Sequence, residues 1–222
     1  MCGRIAQFSA WQSYVEALAL FKAVTLQTDD PGPRFNVSPG THPLIIRDDG
    51  PDRAHWGYRP AWAAARNLPM TINARVEKAA SGAYFRGLWK SGRVIVPANG
   101  WFEWSGEKGS KQPWFIRLKG AEPIFMAALC SERPGATSAE GDGFVIITSE
   151  SDSGMVDIHD RRPLVFDADA ARQWLHPDTT AETASHLAHN AATPADAFEW
   201  FEVSREVNKA GNEGADLVEP IK

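Results

Sequence analysis

Seven short runs between residues 43 and 166 constrain this chain most. They read PLIIR, RVIVP, WFEW, PWFIRL, PIFMAAL, FVIIT and PLVF, and many are rich in β-branched and aromatic residues. Such side chains fit a pleated, half-buried surface, so each run predicts a strand. Helical patterns sit nearer the ends. Residues 9–24, SAWQSYVEALALFKAV, place Trp11, Tyr14, Val15, Leu18 and Phe21 at helical spacing, with Ser9 as the N-cap. DADAARQWLHP predicts a helix that Asp167 caps and Pro177 ends, and a weaker one covers about 181–189. SERPGATSAEGDG has the composition of a surface loop. Strands and helices do not alternate regularly. The expected fold is therefore α+β, with a mostly antiparallel, barrel-like curled β core and peripheral helices. Most of the nine tryptophans should belong to that core.

A chain of 222 residues predicts a single domain over 1–222. At 43% hydrophobic and 23% charged residues, its composition is that of a globular protein with a sizeable core. The sequence holds no apolar run long enough to span a membrane, and no basic stretch leading into an apolar one at its start. Two cysteines, Cys2 and Cys130, are too few for a disulfide framework, and with scattered histidines they give no zinc-ligand spacing. No metal, cofactor or membrane contact is expected, and a reducing, cytoplasmic setting is.

The net charge of -5 disfavours a nucleic-acid partner at first reading. Its distribution is uneven. Residues 1–120 carry sixteen Lys/Arg against nine Asp/Glu, and residues 121–222 carry seven against nineteen. Two readings stand: a basic face that meets an anion, or charges that mix once the two segments fold together.

Cys2 directly follows the initiator methionine. Removal of Met1 would place a free amine and a thiol on one residue, with ordinary pKa values of about 7.7–8.0 and 8.5. Such a 1,2-aminothiol condenses with an aldehyde to an imine, which the thiol closes to a thiazolidine ring. The alternative is a small buried hydrophobe at a tied-down N-terminus. Cys130, with no motif around it, reads as such a hydrophobe. In TINARVEKAA, Asn73, Arg75 and Glu77 alternate, which in an extended segment turns them to one side. Glu103 lies between Phe102 and Trp104. Among aromatics its pKa would rise and suit acid–base work; on a simple strand it would face solvent. His159, beside Asp160, suits proton transfer, or is a turn histidine held by its neighbours.

The ordered set MCGR, RFNVSPG, HWGYRPAW, NARVEKAA, VPANGWFEW, KQPWFI, PIFMAAL and FVIITSESDSGMVDIHDRRPLVF resembles the SRAP family, the SOS-response-associated peptidases, and its bacterial branch in particular. The resemblance runs from residue 2 to about 166. It implies an abasic-site processing protein that binds single-stranded DNA and traps the ring-opened sugar aldehyde as a thiazolidine, shielding the site from strand breakage. It assigns the nucleophile to Cys2, a holding role to Asn73, acid–base work to Glu103 and polarisation of the sugar oxygens to His159. It also implies phosphate contacts at Arg4 and Arg75, with Arg86, Arg161 and Arg162 as additions, and base stacking on Trp62. Ala63 stands where some relatives carry a second tryptophan. A monomer near the nucleoid or replication machinery is the implied setting, with modest AP-lyase activity and self-removal of Met1. Two other classes stand beside it: a thiol peptidase using Cys2, and a non-covalent reader of modified bases.

Overall fold

The computed structural model describes residues 2–20, 29–107 and 109–221. Two β-sheets face each other. The smaller contains β1 (Ile5–Gln7), β2 (Arg34–Val37), β7 (Gly100–Ser105), β8 (Gln112–Leu118) and β13 (Phe198–Glu202), in the spatial order β13-β8-β7-β1-β2. The larger is built on β3 (Leu44–Arg47), β4 (Gly50–Arg53), β6 (Arg93–Ala98), β9 (Ile124–Cys130), β10 (Phe144–Glu150) and β11 (Arg161–Pro163), in the order β11-β10-β9-β6-β3-β4. Off that path, β12 (Val165–Phe166) pairs with β9, and β5 (Asn73–Arg75) runs parallel to β10. The other strand pairs of the described residues are antiparallel.

The helices are α1 (Trp11–Ala17), α2 (Ala61–Ala64), α3 (Val76–Ala79), α4 (Arg86–Ser91), α5 (Ala168–Leu175) and α6 (Ala181–Asn190). Asp167 caps α5 by accepting from the Ala170 amide at 2.8 Å. Thr180 caps α6 in the same way, accepting from Thr183. Ser9 does not cap α1, whose N-cap is Ala10. The Ser9 hydroxyl instead accepts from the Asn99 side chain at 2.7 Å. Phe21, the last predicted apolar position of that helix, lies outside the described residues.

Strand β9 explains the layering. Ile124, Met126, Ala128 and Cys130 turn into the layer between the sheets, and Phe125, Ala127 and Leu129 turn toward the helices. All seven residues are buried, so a period-2 strand is apolar on both faces. The inter-sheet layer also holds Cys2, Ile5, Trp56, Trp101, Phe144 and Ile146. Trp89 and Trp174 lock α4 and α5 onto the far face of the larger sheet, ring to ring at 5.3 Å. A third cluster, with Phe102, Phe115, Val207 and Leu217, covers the outer face of the smaller sheet.

This arrangement corrects the barrel-like expectation. β2 and β13 end the smaller sheet, β4 and β11 end the path of the larger, and no described pairing joins those ends. With helices on one face and a second sheet on the other, the larger sheet buries both faces without curling closed. The tryptophans also divide: Trp56, Trp89, Trp101 and Trp174 are fully buried, whereas Trp62 is 39% exposed. No helix among the described residues is long and apolar enough to cross a membrane.

Candidate active site at one end of the inter-sheet layer

The N-terminal segment runs antiparallel to β7. Ile5 pairs with Trp101, and the Phe102 amide donates to the Arg4 carbonyl at 2.9 Å. Cys2 is thereby carried back along β7 toward Glu103, and it is fully buried. Gly100 permits the close approach of β8 on the other side of β7, since a Cβ there would lie 2.5 Å from the Ile116 carbonyl oxygen. On β7, Trp101 faces the inter-sheet layer and Phe102 faces away. Period 2 then returns Glu103 to the Cys2 side. Glu103 is 3% exposed, so the solvent-facing reading of this residue does not hold.

The larger sheet supplies the rest. Asn73 pairs in register with the buried Ile146, and its Nδ2 donates to the Cys2 carbonyl at 2.9 Å. This bond ties the segment that leads into β1 of the smaller sheet to β5 of the larger one. His159 follows a 3₁₀ turn, Ser153–Asp157, which Met155 anchors in the inter-sheet layer. Its amide donates to the Met155 carbonyl at 3.2 Å. Cys2, Asn73, Glu103 and His159 thus come from four segments distant in sequence and meet where the sheets face each other.

Electrostatics tie the group together. Burial pushes the Glu103 carboxyl up to about 7, and Asp160, next to His159, adds to the push while Lys111 opposes it. Burial, and then the Glu103 charge, drive the Cys2 thiol well above the usual thiol range, against a pull from the Arg4 backbone N–H. Burial holds the His159 imidazole below its ordinary value, with Asp160 opposing. Near neutral pH the site therefore holds a carboxyl present in both forms, a largely neutral imidazole and a protonated thiol. That combination can pass protons without carrying a fixed net charge.

The arginines divide. Arg75 and Arg86 are exposed. Arg4 is half-buried, donating to Asn36 and to the Val207 carbonyl, with its guanidinium 6.0 Å from the Trp104 ring centroid. Arg161 and Arg162 are 6% and 4% exposed. Arg161 binds Glu77 and the Thr148 carbonyl, and Arg162 donates to the Thr193 carbonyl at 2.7 Å. In this structure both guanidiniums are held within the fold, because their strand packs along β10. Glu77 also leaves the predicted extended face, since the chain turns into α3 after Arg75. Trp62 stands on α2, edge-on to Tyr84 at 5.1 Å, with Leu68 and Met70 also exposed. Ala63 beside it is buried.

The sequence reading missed two contributors. Lys111 acts on both Glu103 and His159; it sits in the KQPWFI motif, which was the available signal. Exposed Arg66, Lys78 and Lys90 join Arg75 and Arg86 in a stretch, 59–93, whose one acidic residue is Glu77. Local charge counting would have found it. Cys130, as expected, is buried, 3.6 Å from an Arg47 guanidinium nitrogen.

Residues 1–210 match the model of the SOS response associated peptidase (SRAP) family. The chain belongs to the SRAP family. It is similar to the abasic site processing protein YedK of Escherichia coli, 44% identical over 230 residues, with all of both chains aligned. It is 30% identical to the abasic site processing protein YoaM of Bacillus subtilis, over 99% of this chain and 98% of that one. A phage-related protein from Bordetella bronchiseptica, 36% identical, superimposes with a TM-score of 0.79 over 92% of this chain and 95% of its own. The two abasic site processing proteins align with this chain nearly end to end.

Proposed function

We propose that this protein processes abasic sites in single-stranded DNA by trapping the ring-opened sugar aldehyde covalently on Cys2. The observation that carries this reading is the Asn73 bond to the Cys2 carbonyl, 2.9 Å long, which holds the residue that becomes an N-terminal aminothiol once Met1 is lost, beside a carboxyl titrating near 7. Similarity along nearly the whole chain to proteins named for abasic site processing supplies the substrate class.

Met1 leaves first, exposing the Cys2 amine. Glu103 gives a proton to the ring oxygen of the closed sugar and accepts one from its hydroxyl, opening the aldehyde. The amine adds to the carbonyl carbon, and loss of water gives the imine. The thiol then adds to the imine carbon, its proton passing to nitrogen, and the five-membered ring is closed. Asn73 fixes the residue through its carbonyl, and His159 polarises the sugar oxygen. Single-stranded DNA is held by Arg75 and Arg86 at its phosphates and by stacking on Trp62. The protein acts as a monomer in this reading. A modest lyase reaction follows from the same imine: its acidified sugar C–H loses a proton and the 3′ phosphate departs. Cys2 also serves in removing Met1. Little peptide cleavage in trans is expected.

Intact mass tests the starting state and the product together. The active protein should begin at Cys2. After reaction with abasic DNA and nuclease digestion, the N-terminal peptide should carry the sugar remnant with one water lost. Efficient trapping by protein that retains Met1 would sink the mechanism.

A further inference from the structure

We infer that Glu77 and Arg161 form a positioning pair that sets the place and tautomer of His159, so that the imidazole offers its Nε2–H to the bound sugar. The functional meaning of that donor rests on the trapping reading above; the geometry of the pair does not.

Arg161 meets Glu77 as a fork on a carboxylate, Nη1 to Oε1 at 2.7 Å and Nη2 to Oε2 at 3.0 Å. The Arg161 side chain is 7% exposed and that of Glu77 is 44% exposed. Arg161 Nη2 also donates to the Thr148 carbonyl at 2.6 Å. Strand β10 lies between β5 and β11, pairing parallel with one and antiparallel with the other. Arg161 therefore reaches across β10 at Thr148 to the helix that follows β5. The segment bearing Asn73 and the segment bearing His159 are joined by this one side-chain bridge.

The same residue fixes the imidazole. The Arg161 main-chain N–H donates to His159 Nδ1 at 3.0 Å. A nitrogen that accepts this bond has no proton, so the neutral ring carries its hydrogen on Nε2. The Asp160 carboxylate also lies 2.9 Å from Nδ1. One nitrogen cannot accept from an amide and donate to a carboxylate at once. The Asp160 side chain is 80% exposed and has water to turn to, whereas the amide is set by the backbone of β11. The amide therefore decides the tautomer, and the Glu77–Arg161 fork holds that backbone in place. Lysine cannot reproduce the two-pronged contact.

The first measurement needs no DNA. A long-range ¹H–¹⁵N spectrum of the neutral protein should show His159 as the Nε2–H tautomer, and Glu77→Gln should yield a mixture. Single-turnover trapping of abasic single strands is then compared in wild type, Glu77→Gln, His159→Ala and the double variant. Glu77→Gln should slow trapping about tenfold in the wild-type background and less than about twofold when His159 is already alanine. Affinity for intact single strands should stay within about twofold. Thermal melting confirms that each variant is folded. An Nδ1–H tautomer in the wild type, equal slowing in both backgrounds, or loss of intact-strand affinity matching the loss of rate would each overturn the pair's role. A wild type that makes no adduct would instead overturn the trapping reading, and the tautomer spectrum would still decide the pair.

Discussion

Glu103 gives the site its clearest pH signature. Its folded-state pKa of about 7 lies above the ordinary 4.5. Below about pH 4.5 the carboxyl is protonated folded or unfolded, and nothing is lost. As pH rises from 4.5 to 7 the unfolded chain releases this proton while the folded chain retains it, so stability falls through that window. The loss reaches about 3 kcal/mol above pH 7. Glu103→Gln removes it. Urea midpoints for variant and wild type should coincide at pH 4 and separate at pH 8, with the glutamine variant the more stable. An unchanged difference across that range would mean that Glu103 ionises normally. In reaction, the same variant should slow trapping by about 10²–10⁴ and slow reversal in step, because one catalyst serves both directions. Affinity for DNA should be nearly unchanged. A variant that alters binding but neither rate would leave the carboxylate a structural role alone.

At the scale of elements, helix α5 backs the far face of the larger sheet, and Asp167 caps it. Asp167→Ala should lower stability by about 1 kcal/mol in denaturant titration while leaving trapping rates intact. Lost trapping without lost stability would show that the helix contributes to the site directly. This helix was legible because its signals are local: a cap, an amphipathic face and a terminating Pro177. The long strands were legible for the same reason, since β6, β8 and β10 are rich in β-branched and aromatic residues and β9 is apolar throughout. The short strands β1, β2, β4, β5 and β11 were not. GPDR and NAR have no strand composition, and they pair only because a neighbouring strand offers its edge. Openness of the sheets was hidden too, since alternation reports which faces are buried and not whether the ends meet. Of the site, the four candidate residues were named from motifs. The Glu77–Arg161 fork depends on β10 lying between two strands far apart in sequence, and the burial of Cys2 and Glu103 on the pairing of the N-terminal segment with β7, neither of which a local pattern encodes.

Over the whole molecule, the uneven charge is partly an internal affair. Arg34 pairs with Glu213, Arg59 with Glu140 and Arg117 with Glu199, each joining the basic segment to the acidic one. The free basic surface is narrower than the sequence totals suggest and centres on residues 66–90, where Arg66, Arg75, Lys78, Arg86 and Lys90 are exposed. Arg75→Ala should weaken binding to intact as well as abasic single strands and flatten the salt slope by roughly 0.7. An effect on the trapping rate alone would make Arg75 an orienting residue for the reaction. The central claim, covalent capture by Cys2, is tested most directly on a denaturing gel. Protein that begins at Cys2 is mixed with single-stranded DNA bearing one abasic site, then denatured. The wild type should run as a denaturant-resistant adduct, Cys2→Ala should give none, and Cys2→Ser at most a labile imine. Abasic DNA left wholly unshifted by the wild type, or an equal adduct from Cys2→Ala, would contradict it.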